Sequence, residues 1–181
     1  MNRFLLLILL LAACQKDPLQ DDSLEKGASI RLKNFSRKSF SIDGKEEWDL
    51  QAKEAYIFRS GDKESRIVAY GLDFKQFDKG RRTGLIQAER GEIDYKKKVL
   101  NLAGTVSFTD DKRTVQSEEL KYTMEDKILE STASVLLVEG ASTTHCRKGI
   151  SVNRSTNVQV CKSPAVTRVS RPGDKQGFED L

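Results

Sequence analysis

The sequence predicts an all-β fold in which antiparallel strands recur as strand–turn–strand units. The stretch from Gly84 to Phe108 shows the unit best, because apolar and polar residues alternate on both sides of a charged break at 96–98. Alternation with a period of two residues is typical of half-buried antiparallel strands, and a short polar break between two such runs indicates a hairpin turn.

The same pattern returns in three further units. Equivalent positions in the four units are held by Ala52, Ala88, Ser117 and Arg147. The offsets between these positions are 36, 29 and 30 residues. The second strands of the other three units are predicted at 67–77, 128–138 and 158–169. Repeats of this length indicate a stacked architecture, since a single unit cannot bury its apolar face alone.

The N-terminus is predicted to be a targeting segment. Arg3 precedes an apolar run from Phe4 to Leu11, which is well short of the ~20 residues that a membrane-spanning helix needs. Two alanines then stand directly before Cys14, so residues 11–14 resemble the lipobox of bacterial lipoprotein precursors. We therefore expect residues 1–13 to be a lipoprotein signal peptide and Cys14 to be acylated, with each buried methylene contributing about 0.8 kcal/mol to membrane binding. An ordinary secretory signal with a chance cysteine is the alternative.

The rest of the chain divides into a tether, one folded domain and a tail. Residues 14–29 are polar and acidic, which is typical of a flexible tether. The folded domain is predicted to span 30–169, where Asp43-Gly44 between short apolar runs indicates an early hairpin. Ser117–Glu130 has apolar residues at both helical and strand spacing, and we assign it to strand because it matches the repeat. Residues 170–181 offer little that can pack and are expected to form a flexible tail.

Charge and motif content exclude several function classes. The 31 basic and 27 acidic residues are interspersed, so the net charge of +4 does not form the basic face of a nucleic-acid binder. His145 is the only histidine and neighbours Cys146, but adjacent strand residues point to opposite faces and cannot easily share a proton. Neither a glycine-rich phosphate loop nor a nucleophile elbow is present. We therefore expect no enzyme, no catalytic residue, no metal site and no cofactor.

Cys146 and Cys161 lie on opposite sides of the turn expected at 153–157, within the last unit. A hairpin would bring them together, and an exported chain enters a compartment in which disulfides persist. With fourteen residues between them, a bridge would add roughly 3 kcal/mol in the chain-entropy model, provided that the Cα atoms come within about 7 Å. Two small buried thiols are the alternative.

The apolar strand positions allow two interpretations. They can fill a core between two sheet faces. Alternatively, a sheet that folds over without closing leaves an apolar trough, which can accept acyl chains in place of a second layer. The candidate lining residues are Trp48, Leu50, Ala52, Ile57, Ile86, Ala88, Ile93, Leu102, Val106, Phe108, Leu120 and Tyr122. Composition does not separate the two interpretations.

Four short motifs, taken in order, resemble a known family. They are Trp48-x-Leu50-x-Ala52-x-x-Ala55, Ala88-x-x-Gly91-x-Ile93-Asp94, Leu100-x-Leu102-x-Gly104-x-Val106 and Glu118-Glu119-Leu120-x-Tyr122. Over about 30–169 the chain resembles LptC, the periplasmic component of the lipopolysaccharide export transporter, which is related to LptA and to the periplasmic domain of LptD. The resemblance implies an open, twisted antiparallel β-jellyroll that holds lipid A acyl chains in its interior and stacks edge to edge with similar jellyrolls.

The resemblance also implies the partners. Lipopolysaccharide would come from an inner-membrane LptB2FG-type ABC transporter and pass through an LptA-like bridge protein towards the outer membrane. Familiar LptC proteins keep an uncleaved transmembrane helix, whereas here acylated Cys14 would serve as the anchor of a periplasm-facing, inner-membrane lipoprotein. Two alternatives stay open: an LptA-like bridge or chaperone with an acyl anchor, and a structural envelope lipoprotein with a filled β core.

Overall fold

The computed structural model describes residues 25–61 and 63–169, which form twelve β-strands in one sheet with antiparallel pairing throughout. The all-β expectation is confirmed. In this part of the chain, no helical segment has the length and hydrophobicity needed to cross a bilayer. The strands are β1 (Ile30–Phe40), β2 (Glu46–Ser60), β3 (Lys63–Asp78), β4 (Arg81–Asp94), β5 (Val99–Thr109), β6 (Thr114–Thr123), β7 (Ile128–Ser131), β8 (Val135–Glu139), β9 (Ser142–Cys146), β10 (Ile150–Asn153), β11 (Val158–Cys161) and β12 (Ala165–Val169).

The first six strands follow one another across the sheet, each paired with its neighbour in sequence. The expected hairpin at Asp43-Gly44 is present, and Gly44 has a φ of 78°, which glycine adopts readily. Residues at equivalent positions of the repeat lie in rows across the strands and therefore share one face. One such row is Ile57, Ile67, Ile93, Leu100 and Tyr122.

The long strands bend near their middle. Asn34 (φ 52°), Gly71 (φ 57°) and Gly104 (φ 88°) adopt left-handed backbone conformations at one level of β1, β3 and β5. Such residues shift the side-chain alternation and turn the strand. Ala69 and Leu72 consequently both join the core, although they are three positions apart. We call this bend the spine, and it folds the sheet into two layers. The strand ends of the two layers face each other on the side opposite the spine, and we call the opening between them the mouth.

The sheet forks at β6. Residues 114–117 pair with β8, whose branch continues through β9 and β12 as part of the first layer. Residues 121–123 pair with β7, whose branch continues through β10 and β11 as part of the second layer. The expectation of single strands at 128–138 and 158–169 is therefore wrong at their centres, because the chain changes layer there, between β7 and β8 and between β11 and β12.

The two layers pack against each other through one apolar core, whose members are each 7% exposed or less. The core contains Leu50, Ala52, Ala69, Leu72, Phe74, Ile86, Ala88, Ile93, Leu100, Leu102, Val106, Phe108, Val115, Leu120, Tyr122, Leu129, Val135, Leu137, Cys146, Ile150 and Val152. Because each strand half contributes alternate residues to this core, many of its outward neighbours remain at the surface, as Asn101 does between Leu100 and Leu102.

Candidate functional site

Ten of the twelve candidate lining residues lie in the core between the layers. They are Leu50, Ala52, Ile86, Ala88, Ile93, Leu102, Val106, Phe108, Leu120 and Tyr122. Trp48 is half-buried at the margin of the core, and Ile57 is half-buried opposite Ile30 of the first strand. Contacts between the layers therefore fill the interior over most of its length. The part that these residues play in holding lipid stays a prediction.

A cleft of about 930 Å³ opens at the mouth between the two layers. Trp48 and Phe74 of the first layer form one wall, with their ring centroids 5.7 Å apart. Ile93 and Tyr122 of the second layer form the facing wall. Since Phe74, Ile93 and Tyr122 also belong to the core, the cleft is an outward continuation of the apolar interior.

Tyr95 and Met124 complete the second-layer wall, and the sequence analysis missed both as lining residues. Tyr95, Met124 and Arg154 each directly follow the last residue of a strand, and all three side chains line the cleft. The turns are joined to one another, because the Met124 amide donates to the Lys98 carbonyl at 3.0 Å and the Arg154 amide donates to the Lys127 carbonyl at 3.1 Å. Tyr95, Met124 and Arg154 occupy equivalent positions in the repeat, and this equivalence could have identified them from the sequence.

Side-chain caps hold these turns in place. The Asp94 carboxylate accepts hydrogen bonds from the backbone N–H groups of Lys96 at 3.0 Å and Lys97 at 3.1 Å. The bond from the Lys97 backbone is the largest of the causes that together keep the pKa of Asp94 below its usual value. Asn153 caps its own turn in the same way, at 3.0 Å to each of two backbone N–H groups. Such caps fix the direction in which the next side chain points.

Charged side chains of both signs surround the cleft. The cations are Lys45, Lys79, Lys98, Lys127 and Arg154. The anions are Asp43, Glu46, Glu47, Asp78, Asp94 and Glu125. An apolar floor beneath a charged rim suits an amphiphile, because the apolar part can leave water while the polar head stays at the surface.

Arg37 spans the layers near the β1 side of the cleft. Its guanidinium lies 4.9 Å from the centroid of the Tyr95 ring and donates to the Glu64 carboxylate at 2.6 Å. Burial, only partly offset by the positive charge of Arg37, raises the pKa of Tyr95 to about 12. Tyr95 is therefore neutral near pH 7 and contributes an uncharged aromatic wall to the cleft.

Arg154 ties the layers together at the other end of the cleft. It donates to the backbone carbonyl of Thr83 at 2.8 Å and to the side-chain carbonyl of Gln76. Its guanidinium also lies 4.9 Å from the centroid of the Phe108 ring. We call Arg154, Gln76 and Thr83 the clasp. Gln76 and Thr83 belong to the first layer and Arg154 to the second, so the clasp closes the mouth at this point.

A disulfide links Cys146 and Cys161, whose Cα atoms are 5.4 Å apart. The sequence analysis placed the two on one hairpin, but the hairpin partner of Cys161 is Ile150, and Cys146 ends β9 in the other branch. The chain turns between these strands at 147–149, so the bridge joins the first layer to the second beside the spine. That the bond forms in the exported protein stays a prediction.

The two C-terminal edge strands expose apolar side chains. Within the described residues, β11 pairs only with β10 and β12 only with β9. Val158, Val160 and Val166 are 54, 57 and 49% exposed on these strands. The free N–H and C=O groups of such edges can pair with a strand of another protein.

A second cluster lies on the outer face of β2 to β4. Tyr56 and Val68 are fully buried there, with the Tyr70 ring packed edge-on against Tyr56 at 6.0 Å between centroids. The Glu25 carboxylate accepts hydrogen bonds from the Tyr70 hydroxyl at 2.7 Å and from Arg90 Nη2 at 2.9 Å. The first described residues are therefore fixed to the outer face of the sheet.

The remaining predictions concern chemistry and the termini. His145 faces outward, with its Nε2 atom 2.7 Å from the Ser134 hydroxyl, whereas Cys146 turns inward. Among residues 25–61 and 63–169, no three His, Cys, Asp or Glu side chains converge as metal ligands. Cys14, the predicted signal peptide at 1–13 and the predicted tail at 170–181 lie outside the described residues.

Comparison with known proteins identifies the fold and the family. LptH of Pseudomonas aeruginosa, described as the LptA-homologous periplasmic component of the conserved lipopolysaccharide transport device, has a similar structure, with a TM-score of 0.55 at 10% sequence identity. The similarity covers 68% of this chain and 95% of LptH, and it shows that the folded sheet is a jellyroll of the LptA kind. No curated protein sequence matches the chain. The family described as "Lipopolysaccharide-assembly, LptC-related" matches residues 4–162, and the chain therefore belongs to the LptC-related family.

Proposed function

We propose that this protein carries lipopolysaccharide through the periplasm, receiving it from an inner-membrane ABC transporter and passing it to an LptA-like jellyroll on the way to the outer membrane. The observation that carries the proposal is the cleft of about 930 Å³, whose apolar walls continue the core and whose rim is charged. Family membership and the LptA-like fold support it.

In this proposal, lipid A acyl chains lie between Trp48 and Phe74 on one side and Tyr122 and Met124 on the other. Each methylene that leaves water there contributes about 0.8 kcal/mol. If the acyl chains enter the core more deeply, contacts between the two layers are replaced by contacts with the acyl chains. Both kinds of contact are apolar, so this exchange changes the free energy less than the first transfer from water does.

Transfer to the next protein requires a docking surface, and we assign it to the edges formed by β11 and β12. These strands present unpaired backbone groups within the described residues and half-exposed valines. Strand addition to such an edge would extend the sheet from one jellyroll into the next and keep the two interiors in line.

We further propose that acylated Cys14 anchors the chain after removal of residues 1–13, with 14–29 as tether and 170–181 as a free tail. Eleven positions separate Cys14 from Glu25, which is fixed to the outer face of the sheet. A chain of this length reaches at most about 40 Å. The jellyroll would therefore stay close to the membrane, where a transporter can deliver lipid to it.

One observation favours a second function, that of a structural envelope lipoprotein. Ten candidate lining residues are already buried against one another, so the interior is filled in the absence of lipid. Such a protein would present its edge strands to partners but would bind no lipopolysaccharide.

Photo-crosslinking in living cells separates the two functions. A photoreactive amino acid would replace Trp48 or Met124 in the cleft, and Asn101 on the outer face would be the control. Transport predicts lipopolysaccharide adducts from both cleft positions and none from Asn101. If neither cleft position gives adducts in a folded and correctly exported protein, the structural function is favoured.

A further inference from the structure

The cleft ends abruptly at the clasp. Arg154 donates across the mouth to the Thr83 carbonyl at 2.8 Å and to Gln76, and its guanidinium covers Phe108 at 4.9 Å from the ring centroid. Gln76 is 8% exposed, and the Arg154 side chain is 11% exposed. The clasp is therefore a largely buried polar contact between the layers. It lies at the point where the apolar cleft would otherwise continue towards the C-terminal edge.

Further ties close the mouth beyond the clasp. Arg113 of the first layer donates to Gln159 Oε1 at 3.1 Å and to the Asn157 side chain, both in the second layer. Gln159 Nε2 donates in turn to Glu139 Oε2 of the first layer at 2.6 Å. From Arg154 to β11, polar side chains consequently hold the two layers together.

These contacts are incompletely satisfied. The Nε atoms of Arg113 and Arg154 are buried and have no hydrogen-bond partner within residues 25–61 and 63–169. They lie 3.8 and 4.0 Å from the same Asp110 oxygen. A buried guanidinium with a missing partner reduces the stability of the closed arrangement, because the lost hydration is only partly replaced. Opening the clasp would return these groups to water.

The inner face of the sheet reaches the surface beyond the clasp. Thr144 and Thr167 face the interior, because Thr144 pairs with the core residue Leu137 and Thr167 pairs with Thr144. Their hydroxyl groups are 2.9 Å apart, and Thr167 is exposed. The inner face is therefore exposed at the C-terminal edge as well as at the cleft, and the clasp lies between these two places.

We propose that the clasp is a gate between the cleft, which takes up acyl chains, and the C-terminal edge, from which the chains leave. Chains pass from one to the other only after Arg154 releases Gln76 and Thr83. This inference rests on the proposed lipid-binding function and adds the control of passage to it. An amphiphile that moves along the cleft towards the clasp reaches Arg154, and its anionic head group can replace Gln76 as the hydrogen-bond acceptor.

The test uses the full-length protein, exported in cells that make lipopolysaccharide, with a photoreactive amino acid at Met124 in the cleft or at Thr167 beyond the clasp. The measured quantity is the ratio of lipopolysaccharide adducts at Thr167 to adducts at Met124. Arg154→Met keeps the length of the side chain and removes its hydrogen bonds, so the ratio should rise several-fold. Arg147→Met, at an exposed arginine outside the clasp, should leave the ratio unchanged.

A locked variant tests the same gate in the opposite direction. Gln76→Cys combined with Arg154→Cys, joined by a short bismaleimide crosslink that peptide mapping verifies, should keep adducts at Met124 and abolish those at Thr167. Each single-cysteine variant should retain adducts at both positions. Equal ratios in the locked and single-cysteine proteins would overturn the gate. Absence of adducts at both positions in the parent protein would instead overturn the proposed lipid-binding function.

Discussion

Leu72 lies directly against Gly91 of the neighbouring strand, so that a Cβ atom at position 91 would overlap the Leu72 Cδ2 methyl group. Gly91→Ala should therefore lower the free energy of unfolding by about 1–3 kcal/mol, the usual effect of overpacking a core. Urea denaturation of the purified protein measures this change.

A double-mutant cycle provides the control. Leu72→Ala alone should cost about 2–5 kcal/mol through the cavity that it leaves. If the two residues are in contact, Gly91→Ala combined with Leu72→Ala should lose less than the sum of the single losses. Strict additivity would mean that the close approach of Leu72 to Gly91 is absent in solution.

The strand pattern could be predicted from the sequence because most strands bury one face only. The polar residue Asn101 lies between the apolar residues Leu100 and Leu102, and this alternation indicates a strand with one buried face. The hairpin at Asp43-Gly44 could be predicted for a similar reason, since the required backbone conformation restricts the residue type.

The bend and the fork could not be predicted in this way. Asn34 adopts a left-handed backbone conformation although it is not a glycine, so the residue type does not reveal the bend. The resulting shift in which side chains face the core affects only the neighbouring positions of the same strand. The segment 128–138 has an apolar run in each half, at 128–129 and at 135–138, so periodicity alone does not show that its halves lie in different layers. The clasp depends on contacts such as that between Arg154 and Gln76, which are 78 positions apart, and no local pattern encodes them.

The bridge between Cys146 and Cys161 should stabilise the forked end of the sheet. In the chain-entropy model, closing a loop with a sequence separation of 15 residues contributes about 3 kcal/mol. Reduction of the exported protein should lower the urea midpoint accordingly. The variant with both cysteines changed to serine should have the lower midpoint from the start and should not respond to reductant. Free alkylation of both thiols in the native, unreduced protein would contradict the bridge.

Tyr95 should give the protein a characteristic response to alkaline pH. Burial raises its pKa to about 12 from the ordinary value of 10.0, so the folded state favours the neutral phenol. The stabilisation is complete below pH 10, where the unfolded tyrosine is also neutral, and is lost progressively as the pH rises from 10 to about 12. Absorbance titration of the phenolates should show a late transition that Tyr95→Phe removes. An unchanged titration curve in Tyr95→Phe would place the late transition elsewhere.

Cys14 should determine attachment to the membrane. Cys14→Ser removes the thiol that would carry the acyl groups, so the precursor should remain uncleaved by the lipoprotein peptidase. Metabolic labelling with a palmitate analogue and mass spectrometry of the mature N-terminus measure the two effects. A wild-type protein whose mature chain begins at another residue, without a lipid, would show that an ordinary signal peptide is present instead.

Positions 101 and 102 distinguish a filled interior from one that opens to lipid. Leu102 is 3% exposed and pairs with Gly91 and Leu120 across the neighbouring strands, whereas Asn101 is exposed beside Lys121. Leu102→Asp places a carboxylate in apolar surroundings and should destabilise the protein by several kcal/mol. Asn101→Asp should change stability by no more than about 0.5 kcal/mol.

Thermal melting and lipopolysaccharide binding, measured on both variants, then separate the possibilities. Similar melting temperatures for Leu102→Asp and Asn101→Asp would contradict the assignment of the two faces. Unfolding of Leu102→Asp alone is the expected result, because Leu102 is buried within the closed core. A Leu102→Asp protein that melts normally but no longer binds lipopolysaccharide would show that the layers separate at this level when lipid enters.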